Sequence, residues 1–466
     1  MMVHVILAFQ WFFLFYFIAI NAGYILLNLL SIGSLRRCME SRILADLPQV
    51  YSGFEPPVSI LVPAYNEEAT ITSSVQSLLQ LNYPEYEVIV INDGSKDGTL
   101  ETLKREFALV LVPEAYWTRI KVKPVRGIYH SPRHPNLRVI DKDNGGKADA
   151  LNAAINASRY PLFCAVDADS ILERASLQRV VQPFLEDPTT IASGGTVRIA
   201  NGCEVSGGFL TKVGLPRNVL ALLQIVEYLR AFLFGRLGWA PLNAVLVISG
   251  AFGLFSKKAV VEAGGYRTTT VGEDMELVVR LHRMYRTRGL PYRIAFVPDP
   301  ICWTEAPESL GVLRSQRMRW QHGLAESLSM NLGLLCNREG GFAGWFAFPF
   351  MIVFEWFGPI VEVTGYVFMI AGFLLGLISS QAFLCFLVVA LGFGLMLSVS
   401  ALVLEEISFH IYPKPGQLGT LLVMVLVENF GYRQLVTFWR LVGLVRWAVG
   451  ARSAWGEMKR SATWQK

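Results

Sequence analysis

Apolar residues form long blocks towards both ends of this chain, and between them they break into short strings that alternate with helix-like patterns. From Val3 to Leu35 no residue carries a fixed charge, and "FQWFFLFYFIAINAGYILLNLL" alone exceeds the roughly 20 apolar residues that span a bilayer. A cleavable signal peptide fits worse, because no positive region precedes the stretch, its apolar core is too long and no small-residue cleavage site follows. Arg36, Arg37 and Arg42 come next, which by the positive-inside rule puts the N-terminus outside and the following polar region in the cytoplasm. The second block begins near Phe342. As far as Leu404 its only formal charges are Glu355 and Glu362, and its length predicts two spanning helices with an interfacial one ahead of them. The prolines of "EEISFHIYPKPGQ" then end a helix, and Leu418 to Gly450 is interrupted by Glu428, Arg433, Arg440 and Arg446. That last stretch reads as two short spans or as helices lying in the interface. Three or five spans in all both return Lys459 and Arg460 to the cytoplasm.

The central region has a different period. "VSILVP" precedes a helical pattern with Ile71, Val75, Leu78 and Leu79. "EVIVIND" precedes "KDGTLETLKREFA", "LRVID" precedes "KADALNAAINAS", and "LFCAVDAD" precedes "ILERASLQRVVQPFL". Strands apolar on both faces and alternating with helices predict an α/β fold, a mostly parallel sheet covered by helices. The expected organisation is a transmembrane helix at 1–35, a linker at 36–55, a cytoplasmic domain at 56–337, transmembrane and interfacial helices at 338–450 and a cytoplasmic tail at 451–466. The stretch Val219 to Trp239 fits either an amphipathic helix at the membrane surface or a core helix.

Composition agrees with a membrane protein: of 466 residues, 53% are hydrophobic and only 17% charged. The net charge of +5 suits an anionic leaflet or a phosphorylated substrate and gives no sign of nucleic-acid binding. Six cysteines without metal or redox spacing read as reduced and structural.

Chemistry-bearing residues recur where the strands end: Tyr65, Asn66 and Glu67; Asn92 and Asp93; Asn144, Gly145, Gly146 and Lys147; Asp167 and Asp169. In open sheets of this type ligands bind beyond the carboxyl ends of the strands. An Asp after a strand is commonly only the N-cap of the next helix, but four such ends together point to a site. Asp167 and Asp169, two apart, project to one side of an extended backbone and offer hard oxygen donors to Mg2+ or Mn2+. Lys147, behind a Gly-Gly pair that lets backbone approach a ligand, offers a point charge for phosphate.

These residues lie in pieces that resemble a known family, the inverting glycosyltransferases of family 2, and in particular the membrane-embedded processive polysaccharide synthases of the hyaluronan, poly-N-acetylglucosamine and chitin type. The pieces are "VSILVPAYNEE", "VIVINDGSKDGT", "NGGKADALNAA", "AVDADS", "ISGAFGLFSKKAVVEAGGY", "VGEDMELVVRLHR" and "QRMRW", in that order. The resemblance implies a GT-A-like nucleotide-sugar-binding domain. Pro63, Tyr65, Glu67, Asp93, Lys147 and Asp167 would bind the UDP-sugar, with Tyr65, Glu67 and Asp93 at the uridine, and Asp169 would ligate the metal on the pyrophosphate. Asp274 would be the general base, beside Glu273. Ser249, Gly250 and Ala251 would line the acceptor pocket, which Gln316, Arg319 and Trp320 would close.

The chemistry suits these roles. Displacing a nucleotide needs stabilisation of the departing diphosphate, and a weakly acidic sugar hydroxyl needs a base within hydrogen-bond reach. Asp274 opens an amphipathic helix with Leu277, Val278, Leu281, Met284 and Tyr285 on one stripe and Glu276, Arg280 and Arg283 away from it. Arg319, with Arg314 and Arg317, can face the pyrophosphate, and Trp320 offers a stacking surface for the terminal sugar. His322 reads as a hydrogen-bonded histidine rather than a metal ligand. Glu355 and Glu362, spaced by two helical turns, are expected to share one face bordering a polymer conduit, with Trp345 and Trp356 nearby. Three spans are few for a channel, which suggests a homodimer or a partner subunit. No gating-loop motif or appended regulatory domain of the cellulose-synthase kind is present, so cellulose is the less expected product. The expected setting is a bacterial inner membrane. A single-addition transferase acting on a lipid-linked acceptor, or a non-catalytic receptor that keeps the fold, are the alternatives; sugar, linkage and regulation are not written in the sequence.

Overall fold

A computed structural model describes residues 2–45 and 53–451. The tail with Lys459 and Arg460, and the middle of the 36–55 linker, lie outside these residues. The first helix, α1 (Met2–Ala45), runs on past residue 35 into the expected linker. Its apolar part, His4–Cys38, is long enough to span a bilayer.

The polar region opens with β1 (Val58–Ala64), α2 (Ile71–Leu78), β2 (Tyr86–Asp93) and α3 (Thr99–Glu106). Then come β3 (Val110–Leu111), β4 (Val125–His130), β5 (Leu137–Lys142), α4 (Lys147–Ala157), β6 (Leu162–Val166), β7 (Ile171–Leu172) and α5 (Ser176–Glu186). It continues through β8 (Thr190–Ile199), β9 (Glu204–Ser206), β10 (Phe209–Lys212), α6 (Val219–Leu233), β11 (Phe252–Ser256), α7 (Lys257–Glu262), α8 (Glu273–Thr287), β12 (Arg293–Thr304) and α9 (Leu310–Ser329).

All strands but the β9–β10 hairpin join one sheet in the order β3-β4-β5-β2-β1-β6-β11-β8-β12-β7. Its centre, β5-β2-β1-β6, is parallel throughout. The expected α/β architecture is therefore found, and the four polar strand ends fall side by side along one edge. The central strands are buried on both faces because helices cover both, which is why they read as continuous apolar strings. β11 runs antiparallel between β6 and β8 and brings Ser249 to Ala251 to the same edge.

Helix α8 departs from the expected half-exposed pattern. Glu276 and Arg280 are buried too, paired with each other at 2.9 Å, and Arg280 also donates to the Gly265 carbonyl at 2.6 Å. α9 packs across α8, and mutual pairing lets the polar side enter the interior.

After α9 come α10 (Ala343–Trp356) and α11 (Gly358–Leu374), bent by 45° at their junction, then α12 (Ser380–Ser408) and α13 (Pro415–Ala448). Among the described residues three helices are long and apolar enough to cross a membrane, or four if the bent pair is one span. α13 leaves helical geometry at Phe430 and at Gly431, where φ is +105°, a value that suits glycine. Helix α6 is neither simply a surface helix nor simply a core one: it packs on β8 from one side and on α12 and α13 from the other.

Candidate active site

One cavity of about 1260 Å³ lies beyond the carboxyl edge of the sheet, and the residues to which the family resemblance gives a role all line it, from Pro63 to Trp320. The local structure explains how each side chain arrives there.

On the β1–β2–β5 side the strand ends hold the loop before α4. Asp93 is buried, and its carboxylate accepts from Lys142 Nζ at 2.7 Å, from the Gly145 amide at 3.0 Å and from the Gly146 amide at 2.7 Å. The Gly-Gly amides therefore face Asp93 rather than open space, and the carboxylate shapes the turn. Gly146 has φ +86°, and a Cβ on Gly145 would lie 2.5 Å from the Asp149 carboxylate, so both positions need glycine. The turn delivers Lys147 to the start of α4, where Nζ meets Asp167 Oδ1 at 2.5 Å, the Gly250 carbonyl at 3.2 Å and Glu273 Oε1 at 3.7 Å. Burial works against its charge, yet Asp167 and Glu273 outweigh it and hold the ammonium above the ordinary lysine range. Tyr65 is exposed to the cavity, whereas the Glu67 carboxylate accepts from Thr70 Oγ1 at 2.8 Å.

Asp167 and Asp169 do not sit on an extended segment as expected. β6 ends at Val166 and the chain turns, with the Ser170 amide donating to the Asp167 carbonyl at 3.0 Å. Ser74 of α2 pins that turn through the Ala168 carbonyl at 2.5 Å, and both carboxylates still line the cavity. Among the described residues no three His, Cys, Asp or Glu side chains converge into a self-contained metal cage. Two carboxylates lining one cavity nevertheless fit a divalent cation of the Mg2+ type, which takes one or two carboxylates and completes its shell with substrate phosphates. His322 is not a ligand: it bonds Glu326 at 3.2 Å, and Glu326 in turn accepts from the Val271 amide at 2.9 Å, steadying the approach to α8.

Opposite, Asp274 lies in the first turn of α8. Its Oδ2 accepts from the Gly250 amide at 2.9 Å and its Oδ1 from the Met275 amide at 2.8 Å. Helix α9 comes close because Gly272 and Gly323 touch; a Cβ on Gly323 would stand 2.8 Å from Gly272 Cα. Arg319 lines the cavity among Glu273, Asp167 and Asp274, and burial lowers its pKa against their pull. Trp320 is 44% exposed and faces the same space. Arg317 stacks on the indole at 4.2 Å and pairs with Glu227 at 2.7 Å, so it holds Trp320 rather than facing a pyrophosphate. Gln316 is buried and accepts from Arg317 at 3.2 Å. Arg314 does not line the cavity.

Burial pushes the Glu273 carboxyl up to about 7, with Lys147 pulling it down and Asp274 adding to the rise. Its folded value lies above the usual 4.5. The stability it contributes is therefore complete below the unfolded value and is lost as the pH climbs through the folded one. A Glu273→Gln variant, uncharged at every pH, is expected to gain steadily in Tm over the parent protein between about pH 5 and pH 8. Parallel melting curves with no such divergence would mean that Lys147 compensates the charge fully.

The cavity continues into the membrane helices, where Asn21 and Tyr24 of α1, Glu355, Glu362, Thr437 and Arg440 line it. Glu355 and Glu362 do not share one helical face, because the 45° bend falls between them. They reach the same space from two segments: Glu355 pairs with Arg440 at 2.7 Å and meets Tyr24, and Glu362 accepts from Thr437 at 3.3 Å. Trp345 and Trp356 do not line the cavity. Tyr228 and Arg236, which do, were missed from the sequence. The signal was there, a lone arginine in the apolar string "AFLFGRLGW".

Comparison with known proteins agrees with this geometry. A family model described as glycosyl transferase family 2 matches residues 59–207, and one described as glycosyl transferase family group 2 matches residues 162–397. The chain is 32% identical over 274 residues to the poly-beta-1,6-N-acetyl-D-glucosamine synthase of Staphylococcus aureus strain COL, covering 58% of this chain and 55% of that one. It is 29% identical over 272 residues to the synthase of the same name from Staphylococcus epidermidis, with the same coverage of 58% and 55%. The chain thus spans about half the length of the curated relatives it matches. A mannosyltransferase from Pyrobaculum calidifontis, solved in complex with GDP-Man and Mn2+, shares the fold with a TM-score of 0.51 at 17% identity, over 90% of this chain and 99% of that one.

Proposed function

The chain belongs to glycosyl transferase family group 2, and on that premise we propose that it is an inverting, metal-dependent transferase that moves a sugar from a UDP-sugar to the end of a growing polysaccharide, processively, and passes the product across the membrane. The observation that carries this is one cavity shared by Asp169, Asp274, Trp320 and the polar residues of α1 and α10–α13. The likeness to the staphylococcal synthases supports an N-acetylhexosamine as the sugar.

In this mechanism Tyr65, Glu67 and Asp93 hold the nucleoside, Asp169 with Asp167 would hold the cation, and Trp320 cradles the receiving sugar. Asp274 takes the proton from the acceptor hydroxyl, whose oxygen attacks the anomeric carbon from the face opposite the departing UDP, inverting that centre. Lys147 and Arg319 offset the charge that develops on the diphosphate. A bound Mg2+ or Mn2+ adds Lewis-acid stabilisation of the same leaving group. Ser249, Gly250, Ala251 and Gln316 shape the acceptor pocket, and Glu273 sets the charge balance around Lys147.

The domain limits given above and a cytoplasmic catalytic domain at a bacterial inner membrane, in contact with its lipid, belong to the same reading. A cavity walled by the helices of one chain supports a conduit within a single subunit rather than one that requires a homodimer or partner subunit.

UDP release from a panel of UDP-sugars with Mg2+ or Mn2+ tests the proposal, followed by sizing of the radiolabelled product. Long polymer supports it; single additions would replace processivity with stepwise transfer, and no release from any donor would reject the enzyme. Glu362→Leu removes a conduit carboxylate without stranding the Glu355–Arg440 pair. It is expected to shorten or retain the polymer severalfold while UDP binding stays intact, and unchanged product length and export would remove Glu362 from the path.

A further inference from the structure

The bend between α10 and α11 leaves backbone carbonyls without their helical donors. Pro359, at the start of α11, has no N–H to give the Glu355 carbonyl, and the Ile360 amide donates to the Phe357 carbonyl rather than to Trp356. The missing donors come from two other helices. Gln321 of α9 donates from Nε2 to the Glu355 carbonyl at 3.0 Å and to the Trp356 carbonyl at 3.1 Å. Arg440 of α13 donates to the Glu355 carbonyl at 2.8 Å, and its Nε donates to Gln321 Oε1 at 2.8 Å. The same guanidinium pairs with the Glu355 carboxylate at 2.7 Å, and Tyr24 of α1 meets the other carboxylate oxygen. Close packing brings these groups together: a Cβ on Gly443 of α13 would stand 2.6 Å from the Met318 carbonyl oxygen of α9, and Arg440 and Gln321 each lie about one helical turn from that contact.

Gln321 is buried, and its amide has both its donor and its acceptor side engaged. A polar group satisfied in that way holds one geometry and resists others. The residue before it is Trp320, open to the cavity and backed by Arg317. Trp320, Gln321, Glu355 and Arg440 line the same cavity. One turn of α9 therefore carries the platform for the receiving sugar and the fastening to the membrane helices. Processive transfer needs the two in register, because the chain end has to stay opposite Asp274 after each addition while the polymer behind it runs on between the helices. Product length is then set by the rate of addition against the rate of release.

Resting on the transferase reading above, we propose that Gln321 is a positioning residue for elongation: by tying the Trp320 turn of α9 to the α10–α11 bend, it keeps the receiving chain end aligned with the membrane path between additions. It acts through Trp320 and serves retention of the chain, not binding of the donor.

The full-length protein in lipid nanodiscs, given radiolabelled UDP-N-acetylglucosamine and Mg2+, tests this by UDP release and by sizing of the product. A double-mutant cycle separates positioning from mere repair of the bend, because Pro359→Ala supplies the N–H that the Glu355 carbonyl lacks. Gln321→Leu is expected to shorten the product at least about threefold in the parent and the Pro359→Ala backgrounds alike, with donor KM held within about twofold. Its cost in Tm should be smaller in the Pro359→Ala background. Unchanged product length in the parent background would overturn the proposal. Shortening that vanishes in the Pro359→Ala background would reduce Gln321 to a structural partner of the bend, and a raised donor KM would move its effect to the donor side; either result rejects the role in elongation. If Gln321→Leu alone fails to fold, the comparison within the Pro359→Ala background decides. Single additions, or no UDP release, by the parent protein would instead defeat the transferase reading from which the proposal starts.

Discussion

Asp274→Asn is expected to lower the rate of acceptor-dependent UDP release by roughly 10²- to 10⁴-fold, the usual contribution of a general base, while UDP titrates with nearly unchanged affinity. The split follows from the geometry. The carboxylate is fixed by the Gly250 amide at 2.9 Å to one oxygen and the Met275 amide at 2.8 Å to the other; a carboxamide of the same size keeps one oxygen, which can still accept from Gly250, while its NH2 gives up the Met275 bond. Gly250 also contacts Lys147 through its carbonyl, so keeping that bond keeps the phosphate side in place. What the amide cannot do is receive a proton from the sugar hydroxyl. The measurement is single-turnover UDP release at saturating donor, with UDP binding by calorimetry as the companion. Retention of more than about a tenth of the rate would assign the proton to another group. Glu273, whose carboxyl burial raises to about 7, would be next in line, and the loss should then appear in Glu273→Gln.

Much of the donor side was legible in the sequence because it obeys local rules. Strands buried on both faces show as apolar strings, and a parallel sheet puts their polar ends on one edge. Once β5-β2-β1-β6 are adjacent, Asp93, Lys147 and Asp167 converge without further information. The turn at Asp167 to Asp169 was less legible, since an extended and a turned backbone place two carboxylates near each other equally well.

The acceptor side depends on long-range packing, and there local pattern misled. Glu276 and Arg280 looked like a solvated face of α8, but each supplies the other's charge, and α9 could then cover them. Arg317 looked like a phosphate ligand; Glu227, far away in sequence, turns it into a prop for Trp320. Glu355 and Glu362 looked like one helical face because a bend between α10 and α11 leaves no mark in a spacing argument. Helix α6 and the turn after it carried no family-like motif at all, yet they contribute Tyr228 and Arg236 to the cavity, and α6 touches both the sheet and the membrane helices.

Glu428→Leu is expected to be the most damaging substitution away from the chemistry, because α6 is fastened to the membrane helices through Glu428. Its side chain is wholly buried and holds Arg230 in a two-bond fork, at 2.6 Å to Oε1 and 3.0 Å to Oε2, with Ser398 joining at 2.7 Å to the same guanidinium. Removing the carboxylate leaves Arg230 charged in the interior, and breaking such a pair typically destabilises by about 3–5 kcal/mol. Replacing both partners by apolar groups of similar size removes the stranded charge, so Arg230→Met with Glu428→Leu should recover most of the loss. A double-mutant cycle on detergent-solubilised protein, read as Tm, isolates the coupling. If the double variant melts as low as Glu428→Leu, the pair is not what joins the two parts, and the buried pair of Arg198 with Glu405 becomes the stronger candidate. If it melts like the parent protein yet makes shorter polymer, the charges serve the path of the product rather than the fold. That outcome has a structural basis, because α13 breaks at Phe430 and Gly431 just beyond Glu428, while its far half packs along α9, which carries Trp320.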